Sequence, residues 1–242
     1  MADEIAGVLF DKDGTLFDFE KTFAPACART VLELANGDFD LARALGDSVD
    51  FDIGRVAFQP TSIVIAGCAA DIAACWAPIL KIADDAAFHS RIDGLFERHC
   101  RDTATLFPTV LPVLDRLERV GLAAGIATND AEANARSQAQ AASIHHRLSF
   151  IAGYDSGHGA KPGPGMVNAF ARHLGVAPDR IVMVGDSTHD MAAARAAGAV
   201  GVAVTTGMAD ADQLAGHADH VIASLDDLLL LPQFAAIAAR ER

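Results

Sequence analysis

The stretch "LFDKDGTLFDFE", residues 9–20, decides the fold. Against the calcium-loop template D-x-[DN]-x-[DN]-G-x5-E it puts Asp11, Asp13, Gly14 and Glu20 in ligand and turn places. At the end of a buried strand, the same Asp-x-Asp becomes a nucleophile beside a general acid, with Gly14 turning the chain out of the sheet. The residues around it choose between the two. The calcium loop needs an oxygen ligand where this chain has Leu9, and an entering helix where "IAGVLF" has the continuous apolar character of a buried strand.

Working outward, short apolar runs of strand length alternate with helical patterns, the signature of a parallel sheet with helices on both faces. Strands are expected at 5–11, 122–128, 149–153, 180–186 and 200–204, with a weaker one at 220–223. Helices fill the gaps at 110–120, 131–142, 163–174 and 188–197. From Phe19 to Cys100 no comparable strand run occurs and the patterns are helical. The expectation is therefore an α/β protein: a Rossmann-like parallel-sheet core domain from 1–18 and 101–242, with a helical domain, 19–100, inserted after the first strand. The apolar run 62–80 reads as a buried helix and not a membrane span, since Asp71 interrupts it and Pro78 lies near its end. The final stretch "DDLLLLPQFAAIAARER" reads as a terminal amphipathic piece docked on the core.

Composition narrows the partners. The 242 residues carry a formal charge of −13, which repels phosphate backbones and anionic membranes, so neither nucleic acid nor membrane is expected as a partner. A phosphate ester as substrate would then need a bound cation and a few placed basic groups to supply local positive charge. The four cysteines form no C-x-x-C pair, and the acidic start "MADEIAG" is unlike a basic signal peptide; both fit small buried hydrophobes in a cytoplasmic protein.

In an open parallel sheet, ligands bind beyond the carboxyl ends of the strands. Polar residues gather at four such places: Asp11 to Thr15; Thr128, Asn129 and Asp130; Lys161 in the loop "SGHGAKPGPG"; and "GDSTHD", residues 185–190. Each has a local alternative. Thr128 to Asp130 could only cap the next helix, Lys161 could be a solvated loop lysine, and Ser187 with Asp190 has the spacing of a capping box. Asp186 is harder to dismiss, because a carboxylate directly after an apolar strand is costly without a partner. Taken together, the carboxylates can hold a hard divalent cation, while a hydroxyl, helix-start amides and an ammonium can hold a phosphoryl group.

"FDKDGTL", "ATND", "AKPGPG" and "GDSTHD", in this order, resemble the four motifs of haloacid dehalogenase-like hydrolases, and the insert after the first motif resembles the helical cap of the phosphoglycolate phosphatase-like branch. The resemblance implies an Mg²⁺-dependent phosphatase acting on a small phosphorylated metabolite, phosphoglycolate-like or a sugar phosphate, through an aspartyl-phosphate. Asp11 would be the nucleophile and Asp13 the general acid and base, with Lys12 pointing away. Thr128, Asn129 and Lys161 would bind phosphate, and Asp11, Asp13 through its main-chain carbonyl, Asp186 and Asp190 would serve the metal, Asp190 in support. A sugar phosphomutase would use the same residues, and a non-catalytic binding protein on the same fold is the more remote alternative. An acid at Asp13 fits a phosphatase and neither a true dehalogenase nor a P-type pump. Within the insert, the polar loop 52–62 offers Arg55 and Gln59 as candidates for substrate specificity.

Overall fold

A computed structural model describes residues 4–65, 67–207 and 209–235. In chain order its elements are β1 (Gly7–Phe10), α1 (Phe19–Leu34), α2 (Phe39–Asp47), β2 (Phe51–Asp52), β3 (Ala57–Phe58), α3 (Ala69–Leu80), α4 (Ala86–Thr103), α5 (Val110–Arg119), β4 (Ala123–Ala127), α6 (Glu132–Ala141), β5 (Phe150–Ala152), α7 (Gly165–Leu174), β6 (Ile181–Gly185), α8 (Thr188–Ala197), β7 (Val200–Val204), α9 (Ala211–Ala215) and β8 (His220–Ile222). Short 3₁₀ turns join several of them.

The chain divides into two compact units, Met1–Asp18 with Leu106–Arg242, and Phe19–Thr105. The second border lies beyond the Cys100 read from the sequence, because α4 runs on to Thr103 with Cys100 buried in its last turns.

The first unit is a six-stranded parallel sheet in the order β5-β4-β1-β6-β7-β8. The α/β expectation therefore holds. β1 is central, with Gly7 in register with Ala123 on one side and Ile181 on the other, and all its residues are buried. This double burial is why the strand reads as an unbroken apolar run. The chain builds outward from β1 through β4 to β5, then returns to β1's other flank at β6. That reversal opens a crevice beyond the carboxyl ends of β1 and β6, the place where such sheets take ligands. Leu225, Leu228, Leu229 and Phe234 of the terminal segment are buried in 3₁₀ turns, while its residues 236–242 lie outside the described part of the chain.

The second unit has an aromatic core. Phe19 stacks on Phe23 at 5.0 Å, Phe58 packs on both Phe19 and Phe51, and Trp76 stacks on Phe96 while its Nε1 donates to the Leu45 carbonyl at 3.0 Å. Contrary to the continuous helix expected over 62–80, α3 begins only at Ala69. Asp71, the residue that broke the apolar run, accepts the Cys68 N–H at 2.8 Å and so fixes the helix start. The unit also holds one short antiparallel hairpin, β2 with β3, absent from the sequence reading because two-residue strands leave no alternation to detect. No helix among the described residues is long and apolar enough to cross a membrane.

Candidate active site

Asp11 directly follows β1, and its N–H donates to the Val184 carbonyl of β6 at 2.7 Å, which fixes the backbone at the crevice. Gly14 then turns the chain away with φ 81°, a left-handed conformation open to glycine at no steric cost. Asp186 leaves the end of β6 beside it. Its Oδ1 accepts from the Thr15 hydroxyl at 3.2 Å. One carboxylate oxygen from each of Asp11, Asp186 and Asp190 lies within 4.8 Å of the others, and all three residues are buried.

Lys161, only 6% exposed, is the cation of this cluster. Its Nζ donates to Asp11 Oδ1 at 2.5 Å and to Asp190 Oδ1 at 2.6 Å. Burial alone would push the lysine down, but the Asp11 and Asp190 carboxylates outweigh it and hold the ammonium above the usual lysine range. The loop lysine of the sequence is therefore no solvated side chain. Asn129 fixes it: its Oδ1 accepts the Lys161 N–H at 2.8 Å and its Nδ2 donates to the Lys161 carbonyl at 3.0 Å.

Asp190 reconciles two readings of "STHD". Its Oδ2 accepts from the Ser187 N–H at 3.0 Å and the Ser187 hydroxyl at 2.6 Å, closing the helix start, while Oδ1 takes the Lys161 ammonium. Thr128, 2% exposed at the end of β4, accepts the Asp130 N–H on its hydroxyl oxygen at 3.0 Å, which leaves the hydroxyl proton available to donate.

The charges do not balance. Burial pushes the Asp11 carboxyl up, with Lys161 opposing, and burial reinforced by Asp11 and Asp190 pushes Asp186 well above the ordinary range. Three carboxyl groups share one ammonium, so the fully ionised set would carry excess negative charge that a cation would offset. The donor set is entirely oxygen, the chemistry of a hard divalent ion. The residues fit such a metal.

A family model described as haloacid dehalogenase-like hydrolase matches residues 5–198. Phosphoglycolate phosphatase of Shigella boydii is 30% identical over 94% of this chain and 92% of its own length, and that of Rhodospirillum rubrum is 30% identical over 95% and 88%. The chain belongs to the haloacid dehalogenase-like hydrolases. Solved structures agree on the fold. A haloacid dehalogenase-like hydrolase of Bacteroides fragilis superposes with a TM-score of 0.68 at 23% identity, covering 93% of this chain and all of that one. CbbY of Rhodobacter sphaeroides, solved with phosphate, gives 0.68 at 21% identity, covering 93% and 96%.

Two features beside this candidate site of the hydrolase were not legible in the sequence. Gly207, in the loop after β7, lies so close to Asp186 that a Cβ there would fall 1.7 Å from its Oδ2, and the Thr206 hydroxyl donates to the Gly14 carbonyl at 2.6 Å. That loop carries no charged ligand to betray it. Lys12, expected to point away, does leave the Asp11 side of the strand, but its four-carbon stem returns the ammonium to both oxygens of Asp13, each at 2.6 Å. Arg55 and Gln59 belong to the β2–β3 region of the other unit. Arg55 is largely exposed with its Nε 3.6 Å from Asp52, and the Gln59 N–H donates to the Asp50 carbonyl at 2.8 Å.

Proposed function

We propose that this hydrolase removes the phosphoryl group from a small phosphorylated metabolite, phosphoglycolate-like or a sugar phosphate, through a phosphoaspartate on Asp11. The observation that carries the reading is the buried group of Asp11, Asp186 and Asp190 facing the single ammonium of Lys161. Asp11, Asp186 and the main-chain carbonyl of Asp13 would hold Mg²⁺, with Asp190 in support. When bound, the ion would offset the surplus carboxylate charge and polarise the phosphoryl oxygens.

In this reading a carboxylate oxygen of Asp11 attacks phosphorus as the bond to the leaving oxygen breaks. Asp13 gives that oxygen a proton, and in the second half it takes one from the water that releases phosphate and restores Asp11. Burial, opposed by Lys12 and aided by Asp130 and Asp11, pushes the Asp13 carboxyl up to about 7, where it can serve both as acid and as base. Two hydrogens of Lys161 are engaged by Asp11 and Asp190; the third, with the Thr128 hydroxyl, is available to the non-transferred phosphoryl oxygens. Asn129 acts by setting Lys161. The named phosphoglycolate phosphatases, at 30% identity along nearly the whole chain, support the substrate class. Four free thiols, two of them buried, fit a reducing cytoplasm.

The test is phosphate release from a panel of phosphorylated metabolites that includes 2-phosphoglycolate, in chelator and with Mg²⁺ restored. Turnover that stops in chelator and returns with Mg²⁺ is the expected result. Equal turnover in both, or none on any ester, overturns the reading.

A further inference from the structure

Lys12 is fully buried, yet none of the roles above uses it. Its surroundings are unusual for a hydrophobic strand end. Besides both oxygens of Asp13, its Nζ lies 3.0 Å from Asp130 Oδ2 and donates to Gln138 Oε1 at 3.1 Å. Asn134 Nδ2 donates to the same Asp130 Oδ2 at 2.5 Å, and Gln138 Nε2 donates to Asn134 Oδ1 at 2.8 Å. Lys12, Asp130, Asn134 and Gln138 thus close a ring of side chains.

The helix α6 supplies two members of that ring, Asn134 and Gln138, one turn apart at 1% and 0% exposure. Two buried amides on a helix face cost desolvation wherever apolar residues would pack as well. They repay it only by bonding to something fixed. Here they bond to each other, to Asp130 and to the Lys12 ammonium, so the ring immobilises a long side chain that would otherwise be free to rotate. Beyond the ring, the ammonium faces both oxygens of the Asp13 carboxyl and lies 5.8 Å from the centre of the Phe17 ring.

We infer that Lys12 and its ring form a positioning device for Asp13, holding the proton-transferring carboxyl in one rotamer at the end of β1. The inference rests on the phosphatase reading, because it concerns the step in which Asp13 acts as acid. In that step the Asp11 oxygen to phosphorus bond forms, the bond from phosphorus to the leaving oxygen breaks, and the Asp13 proton passes to that oxygen, leaving a carboxylate against the Lys12 ammonium. Asp13 need not move to be received by its counter-charge. A carboxyl misplaced by 1 Å is a poor acid even where its chemistry is intact.

The distinguishing readout is the leaving group. An alkyl alkoxide needs the proton in order to depart, whereas p-nitrophenolate departs without one. The experiment measures kcat/KM, which reports the phosphoryl transfer step, for 2-phosphoglycolate and for p-nitrophenyl phosphate, both with Mg²⁺, in wild type, Lys12→Met, Lys12→Arg and Gln138→Leu. In Lys12→Met the ratio of the alkyl to the aryl value is expected to fall about tenfold or more, with Lys12→Arg recovering most of it. Gln138→Leu touches neither Asp11 nor Asp13, and it should move the ratio the same way by about threefold. Should Lys12→Met fail to fold, the Gln138→Leu and Lys12→Arg results still decide. Equal losses on the two esters in Gln138→Leu would mean that the ring only supports the fold, and would overturn the inference alone. A wild type that hydrolyses neither ester would instead remove the phosphatase reading beneath it.

Discussion

Lys12 and Lys161 are both buried, both paired with two carboxylates at hydrogen-bonding distance, and both part of the sheet unit. What separates them is what completes the pair. Around Lys12, two side-chain amides close the network and the protein answers its own charges. Around Lys161 a third carboxyl group, Asp186, stands beside Asp11 and Asp190; the Thr15 hydroxyl donates to it and Lys161 eases its charge, but burial and the two like charges outweigh them. Burial and ion pairing therefore do not by themselves mark a site. The mark is a surplus that the chain leaves unanswered, and here it selects the crevice of Asp11 over the ring behind β1.

The largest effect expected on either side of this comparison is that of Asp11→Asn. Turnover should fall by about a thousandfold or more, since the amide is no acceptor of phosphorus, while the melting temperature stays at or above that of wild type because one costly buried carboxylate is gone. A variant retaining a tenth of the wild-type rate would take the nucleophile away from Asp11. Next in size, Lys161→Met should lower kcat/KM about a hundredfold, and by the same factor for 2-phosphoglycolate and p-nitrophenyl phosphate, because phosphoryl charge develops on both. That evenness is the contrast with Lys12; a shift in the ratio of the two esters would erase the distinction between the lysines.

Gly207→Ala probes the surplus directly. Its Cβ must displace Asp186, so the Mg²⁺ concentration for half-maximal activity should rise about tenfold, with saturating metal recovering much of the rate. An unchanged Mg²⁺ requirement would separate that loop from the site. The smallest effect belongs to a third, exposed pair, Arg55 with Asp52, with the Arg55 side chain 82% exposed. Solvent screens it, so Arg55→Ala should leave the melting temperature within experimental error, and a clear loss of stability would show that burial is not what gives the two lysine clusters their weight.

The sequence made the sheet legible because β1, β4 and β6 are buried on both faces and so carry unbroken apolar runs, and it made Asp186 legible because a carboxylate ends such a run. Lys12 leaves the Asp11 side of the strand as expected, but the return of its ammonium to Asp13 was not legible for a physical reason: alternation along a strand fixes the direction of Cβ, not the reach of a four-carbon stem. Gly207 escaped notice because it contributes only the absence of a side chain, against a partner distant in sequence. The β2–β3 hairpin escaped because its ladder is two residues long, and Val56 within its turn takes φ 54°, which local preference for a β-branched residue opposes.

The claim that the Asp11 crevice carries a charge surplus meant for a cation is tested most directly by titrating the protein with Mg²⁺ in a calorimeter, without substrate, beside Asp186→Asn. The account predicts one ion bound per wild-type chain and affinity weakened at least tenfold in the variant. Binding of equal strength in both proteins, or no heat of binding in either, would contradict it.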